Sequence, residues 1–552
     1  MKKIKLFGNY ENGRLLTIDE YREEHKGATV PYDKLGDKDI AGIPISITRN
    51  AEGKLDVTFA GDTHILAIGA TRSGKTTGFV IPTINVLMNK KNKPSLVISD
   101  PKQELYTSCA SAFKKQGYRI ILIDFTNYIH SDCWNPLTKC FRAYKNYLDA
   151  DSIIEKASFL STSRADGKAL REAEEARERY YDDAEKYITG LCTRLVPSIN
   201  QKDPYWEDSA RDLLKAIVYG MLEDIEIGVT TENNFSISNI IKIYDEFPNL
   251  DTNIDDGYFN NRDHDKSKAY QLARNAFLSL PRNTRQCVVS ALGPILSRYR
   301  DAAIKKATCT NTFEMADLDD GEPTAIFISY KDEESLHYEV ISMFLSSLYT
   351  ELIAISRKKG TKLERPFYFL LDEFGNLPKF NDFDKVISAC GGRNIWFLLI
   401  LQSYAQLNNV YGKDTAEIIK DNLNMHIFFG TNNPQTKVEF SEECGKRTVL
   451  APSSALNGKG EAIDRYDINT VSLVPVSRLN EIEPGDCIVT QMKEAVLWGK
   501  FERSYTCKEF KHEKADPSKR APQVDFLDPK YLNARKKRET AKKTSYVSPF
   551  DF

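Results

Sequence analysis

Gly69-Ala70-Thr71-Arg72-Ser73-Gly74-Lys75-Thr76 fits the pattern G-x-x-x-x-G-K-[ST], and its flanks decide what the match means. Residues 64–70 are apolar and read as a buried strand, whereas residues 75–88 carry a helical pattern. A strand, a glycine-rich turn and a helix start are what a phosphate cradle needs. Backbone N–H groups turn inward around the anion, and the helix N-terminus adds partial positive charge. On this reading Gly69, Ala70, Thr71, Arg72, Ser73, Gly74, Lys75, Thr76 and Thr77 line a nucleotide site. Lys75 reaches the β- and γ-phosphates of ATP, and the Thr76 hydroxyl binds Mg²⁺. The alternative is an ordinary glycine-rich turn.

Outward from this loop, short apolar runs alternate with helical patterns in two blocks. The first has strands at 64–70, 95–100 and 119–125. The second has strands at 324–330, 367–374, 395–402 and 426–431, with helices between them. Near-continuous Ile, Val, Leu and Phe imply burial on both faces, the property of a parallel sheet covered by helices. The expected fold is α/β, a RecA-like P-loop NTPase core with a mostly parallel sheet, interrupted by an all-α domain. The expected divisions are 1–143 for an N-terminal segment and the first part of the core, 144–320 for the insertion, 321–507 for the second part and 508–552 for a basic tail. Within the insertion, Leu213, Leu214, Ile217, Val218, Met221 and Leu222 recur at helical spacing and predict one apolar stripe. Residues 168–186 are dense in charge and read as a solvated helix.

Phe367-Tyr368-Phe369-Leu370-Leu371-Asp372-Glu373 is a buried strand that ends in two acids. Asp372 is placed to hold Mg²⁺, and Glu373 to polarise the attacking water, so the pair points to hydrolysis rather than to binding alone. A solvated strand end is the bland alternative. Gln402 closes the strand 395–402 at the edge where nucleotides bind, where an amide senses the γ-phosphate or its water. Arg393 precedes that strand, at the opposite edge. It is either an arginine finger for a neighbouring subunit or a surface salt bridge. Asp100-Pro101-Lys102 follows the strand 95–100, as a ligand loop or as a simple helix-start turn.

Composition narrows the partners. At 552 residues and roughly 150 per domain the chain holds a large core without staples. Its 41% apolar and 28% charged content is that of a folded chain, and a net charge of −2 excludes an indiscriminate polycation. Residues 508–552 carry twelve Lys or Arg against seven Asp or Glu, including Arg535-Lys536-Lys537-Arg538, which either touch phosphates or are merely solvated. Ten scattered cysteines with no Cys-x-x-Cys fit a reducing compartment, and the seven histidines suggest no zinc site. No apolar run follows the N-terminal lysines, and stretches such as 340–350 fall short of the ~18 residues of a spanning helix, so a soluble chain is expected.

Taken in order, Gly69–Thr76, Ile81-Pro82, Asp100-Pro101-Lys102-Gln103-Glu104-Leu105, Asn135-Pro136-Leu137, Leu371-Asp372-Glu373-Phe374 and Leu401-Gln402-Ser403 resemble the signature of type IV coupling proteins of the TraG/TraD class. The resemblance covers residues 62–505, and residues 203–214, with Trp206 and Ala210, are similar to the all-α domain that interrupts the core in that family. It implies a hexameric ATPase that brings relaxase-bound DNA to a type IV secretion channel and helps pump single-stranded DNA in conjugation. Lys75, Thr76, Asp372, Glu373 and Gln402 would serve ATP, Arg393 would act in trans, and the α insertion would recognise substrate. Accessory transfer proteins and channel components are the implied partners. Members of the class usually begin with membrane-spanning helices; this sequence shows none, which implies a separate membrane-anchor protein and a cytoplasmic location, peripheral to the inner membrane face. Two other readings stay open: a substrate-docking receptor that uses ATP as a conformational switch, and an FtsK-like DNA translocase.

Overall fold

The computed structural model of the chain describes residues 13–70, 72–160, 166–197, 204–246, 258–331, 333–380, 382–456, 462–517 and 521–527. It divides into two compact units, Met1–Leu122 with Met315–Pro517, and Ile123–Glu314 with Ser518–Phe552. The expected insertion, 144–320, starts later than the second unit does. Residues 123–143 join that unit through long-range bonds, and the helix Thr138–Leu160 already begins within them. Asn135 N donates to Asn311 Oδ1 at 2.7 Å, and Trp134 N to the Ala307 carbonyl at 2.7 Å.

The strands of the first unit are β1 (Leu15–Thr17), β2 (Thr29–Pro31), β3 (Pro44–Arg49), β4 (Leu55–Phe59), β5 (Ile65–Ile68), β6 (Ser95–Asp100), β7 (Arg119–Asp124, which runs to the boundary), β8 (Thr324–Ser329), β9 (Phe367–Leu371), β10 (Ile395–Leu401), β11 (Met425–Phe428), β12 (Lys446–Leu456), β13 (Ala462–Ser472), β14 (Asp486–Gln491) and β15 (Val496–Lys500). Among the described residues ten of them form one sheet in the order β1-β15-β14-β11-β5-β10-β9-β6-β8-β7. From β11 to β8 every pairing is parallel, and β14 turns the sheet antiparallel at one side. The seven strands read from the sequence all exist in this sheet. Their central members are buried on both faces, with Leu66, Val97, Phe327, Phe369 and Leu399 at 0% exposure, which is why they read as unbroken apolar runs. β5, β10 and β9 lie side by side, so the phosphate loop and the acidic pair leave the same sheet edge one strand apart.

Three features differ from the sequence reading. Residues 29–59, which the sequence reading leaves unassigned, form a three-stranded antiparallel sheet of their own, β2-β4-β3. The helix Tyr338–Lys358 belongs to a segment, Ser335–Lys358, that is long and apolar enough to cross a membrane, although the uncharged run within it looked too short. Its apolar window is 61% buried inside the protein, as expected of a core helix. The start of the expected tail is packed: Phe510 meets Tyr32 edge-on at 5.5 Å, and Ala515 N donates to the Thr107 carbonyl at 2.9 Å. Arg535-Lys536-Lys537-Arg538 lies outside the described residues.

The second unit is helical. The helices Thr138–Leu160 and Asp166–Leu195 pack along one another, and the described charged side chains from 170 to 186 are mostly solvated. The helix Tyr205–Glu223 was read as having one apolar stripe; from Leu213 onward it is buried on nearly every side, Ala216, Tyr219 and Gly220 included, as befits a central helix. Its end carries Glu223 and Asp224, both bound to the buried Arg262.

Candidate functional site

The loop after β5 is held from both sides by backbone bonds. Gly69 N donates to the Leu401 carbonyl of β10 at 2.9 Å, and Ala70 N to the Gly430 carbonyl beyond β11 at 2.8 Å. Ser73 N closes a turn onto the Ala70 carbonyl at 3.1 Å. Arg72 and Gly74 have positive φ, 66° and 86°, which turns successive N–H groups to one side. The first helical turn, Thr76–Val80, is wide and π-type, and Ile81–Met88 continues it as a regular helix. Thr71 lies outside the described residues.

Lys75 folds back over Gly69. A methyl group built on Gly69 would lie 2.6 Å from Lys75 Cδ and 2.7 Å from Ser73 Oγ, so a side chain there would displace Lys75 or Ser73. The Lys75 ammonium is buried and, among the described residues, has no hydrogen-bond partner. Burial lowers its pKa from the ordinary lysine value, while the fields of Glu373 and Asp372 work the other way. A buried, unpaired cation is costly unless an anion completes it. The shape of the loop and the waiting ammonium therefore fit a polyphosphate.

Across the sheet edge, Asp372 follows β9 with 7% exposure, and burial pushes its carboxyl up to about 6, against the pull of Lys75. Ser99 of β6 donates to the Asp372 carbonyl at 2.8 Å and meets Tyr330 OH at 3.1 Å. Glu373 sits in the left-handed region, φ 51°, with its N–H on Asp372 Oδ1 at 3.0 Å. That turn separates the two carboxylates. Between them and the loop stands Gln402 at the tip of β10. Its Nε2 donates to Glu373 Oε2 at 3.0 Å, its N–H to Gln406 Oε1 at 2.8 Å, and its carbonyl accepts from Thr431 Oγ1 at 2.8 Å. Thr76 at the helix start and Asp372 supply a hydroxyl and a carboxylate of the type that holds Mg²⁺ beside phosphates.

The structure thus brings Gly69, Lys75, Asp372, Glu373 and Gln402 to one edge. It does not bring Arg393 there. That residue ends the turn before β10, at the far end of the strand, and donates to the Ala389 carbonyl of its own chain. At Asp100 the helix-start reading applies. Its carboxylate caps the helix Glu104–Lys115 by accepting from Leu105 N at 3.2 Å and Tyr106 N at 2.8 Å, and burial raises it to about 6. Lys102 is near enough for its charge to oppose that of Lys75.

Sequence reasoning missed Ser99, Gln406 and Arg503. Arg503, which follows β15, lies against the loop: its Nη1 donates to Thr77 Oγ1 at 3.2 Å, and a methyl on Gly74 would lie 1.7 Å from the same atom. No motif marks it, since its relation to Gly74 spans more than four hundred residues. The helix Tyr404–Tyr411 that carries Gln406 was likewise unread; it is only eight residues long.

Residues 32–467 match the family described as Type IV secretory system Conjugative DNA transfer. Protein VirD4 of Agrobacterium fabrum (strain C58 / ATCC 33970) is 23% identical over 403 residues, 71% of this chain and 51% of that protein. Conjugal transfer protein TraG of Escherichia coli is 21% identical over 436 residues, 76% and 61% of the two chains. The chain spans about half the length of the VirD4 relatives it matches. Among solved structures, plasmid coupling protein TrwB in complex with ADP and Mg²⁺ superposes with a TM-score of 0.57 at 13% identity, covering 90% of this chain and 94% of TrwB. TrwB in complex with the non-hydrolysable ATP analogue ADPNP gives 0.57 at 14%, covering 94% and 100%. These superpositions show a shared fold, and a sequence match over most of the chain's length shows shared descent. The chain belongs to the Type IV secretory system Conjugative DNA transfer family.

Proposed function

We propose that the chain hydrolyses ATP to drive single-stranded DNA, delivered by a relaxase, into a type IV secretion channel. The observation that carries the reading is the bond from Gln402 to Glu373 beside the buried Lys75, whose ammonium has no hydrogen-bond partner among the described residues. Lys75 and the loop amides would bind the β- and γ-phosphates. Thr76 and Asp372 would hold Mg²⁺, which when bound neutralises phosphate charge. Glu373 would orient the attacking water and draw off its proton, with Gln402 keeping that carboxylate in line. Binding of ADP, Mg²⁺ and an ATP analogue by TrwB, as its structures are described, supports the same ligands here.

The assembly is part of the proposal. Arg393 cannot reach its own cradle from the far end of β10, so its use as a finger requires a neighbouring subunit, as in a homo-hexamer. Accessory transfer proteins and channel components are the proposed partners, at the cytoplasmic face of the inner membrane.

ATP turnover measured with and without single-stranded DNA, across protein concentration, tests enzyme, ligand and assembly together. Turnover that rises with both is expected. Absence of turnover at every concentration would sink the motor. Stimulation by a relaxase but not by DNA would favour the docking receptor.

A further inference from the structure

Arg503 is held in place by its backbone. Phe501 N donates to the Gly485 carbonyl at 2.7 Å, Glu502 N to the Ile47 carbonyl at 2.9 Å, and Ser504 N to the Thr77 carbonyl at 2.7 Å. The last bond ties the segment after β15 to the first turn of the phosphate-loop helix. The Arg503 carbonyl is occupied as well, accepting from Thr506 N at 3.0 Å and Thr506 Oγ1 at 2.7 Å.

The side chain lies along the loop backbone. A methyl group built on Gly74 would lie 1.7 Å from Nη1, so that glycine leaves the room the guanidinium fills, whereas one on Gly78 would only touch Cδ at 3.7 Å. Of its five N–H donors one is used, by Thr77 Oγ1, and among the described residues no carboxylate pairs with it. This is an unfavourable place for a lone cation. The helix N-terminus is partly positive, and Lys75 already brings an ammonium. The two cations lie on different sides of the loop. Lys75 turns toward Gly69 and the carboxylates of Asp372 and Glu373, whereas Arg503 lies at Gly74, Thr77 and Gly78.

With the β- and γ-phosphates at Lys75 and the loop N–H groups around the α- and β-phosphates, the α-phosphate would lie on the side of the loop away from Lys75, the side that Arg503 lines. We propose that Arg503 is a binding residue supplied by the same chain, donating to the α-phosphate of a nucleoside di- or triphosphate beside its bond to Thr77. The proposal rests on the nucleotide reading given above. It separates two tasks: Lys75 acts at the phosphates that react, and Arg503 on the part common to substrate and product.

The test is the affinity of the full-length chain for fluorescent ADP and ATP, each with Mg²⁺, in wild type, Arg503→Gln and Arg503→Lys, with thermal denaturation as the folding control. Arg503→Gln keeps a donor for Thr77 and removes the charge. It should weaken ADP and ATP alike, by about ten- to hundredfold, the loss of one charge-assisted hydrogen bond. Arg503→Lys should recover part of the affinity. Unchanged affinity in Arg503→Gln overturns the proposal, and so does a loss confined to ATP, which would place the guanidinium at the γ-phosphate. If Arg503→Gln is unfolded, Arg503→Lys with wild-type melting and a point charge but no planar fork decides: full wild-type affinity for both nucleotides overturns the proposed guanidinium contact, and partial loss for both supports it. A wild-type chain that binds neither nucleotide overturns the nucleotide reading and this proposal with it.

Discussion

At the scale of single residues, Glu373 occupies a left-handed conformation, φ 51°, that costs a non-glycine residue about 1 kcal/mol. The turn directs its carboxylate to Gln402 rather than along the strand, and Asp372 stays buried behind it. Metal binding and water activation are thus assigned to adjacent residues with different surroundings. Glu373→Gln should bind Mg²⁺–ATP about as wild type does and turn over about 10²-fold or more slowly, as for loss of a general base; equal steady-state rates would reassign that role. Lys75→Ala removes the only ammonium shown buried at the cradle among the described residues. Most of the nucleotide affinity should go with it, which equilibrium titration would reveal, and an unaltered dissociation constant would mean that the cradle is not the site.

Among the elements, β5 is pinned between β10 and β11 at both ends. At the loop end Gly69 and Ala70 are bonded to their neighbours. At the other end His64 Nδ1 accepts from Phe397 N at 3.1 Å and the His64 carbonyl from Met425 N at 3.3 Å. Burial lowers the His64 pKa to about 4 from an ordinary 6.5. As pH falls, the unfolded chain takes the proton first. The neutral ring's contribution is therefore complete above about 6.5, is lost progressively down to about 4, and changes no further below that. The loss is on the order of 3 kcal/mol. Denaturant titrations at several pH values should show His64→Asn less sensitive to acid than wild type across this window, although less stable at neutral pH. Parallel curves for the two proteins would remove His64 as the cause.

At the scale of the whole molecule, the chain divides into two compact units. In the helical unit the Arg262 guanidinium spans Asp224 at 3.0 and 2.9 Å, reaches Glu223 at 3.0 Å and stacks over the Tyr258 ring at 4.5 Å. Its side chain is 1% exposed. Arg262→Ala leaves two buried carboxylates without their cation and should destabilise that unit by about 3–5 kcal/mol. Every described residue of the nucleotide site belongs to the other unit. Calorimetry should therefore show a lowered transition while nucleotide affinity stays within about twofold of wild type. An unchanged melting profile would mean that the ion cluster is dispensable.

The parallel core, the phosphate loop, the acidic pair and Gln402 were legible in the chain because each depends on neighbours within a few residues. Burial on two faces writes an apolar run, and a turn around phosphate needs glycines at fixed spacing. The order β5-β10-β9 was not legible, since strand adjacency follows from how helices cover a twisted sheet. Nor was the contact of Arg503 with Gly74, the seat of Arg262 between two acids, or the packing of residues 508–517. The local sequence around an arginine records its charge and reach but not which distant backbone will approach it. Where a lone cation ends up, and hence what anion it awaits, was decided only when remote segments closed on one another.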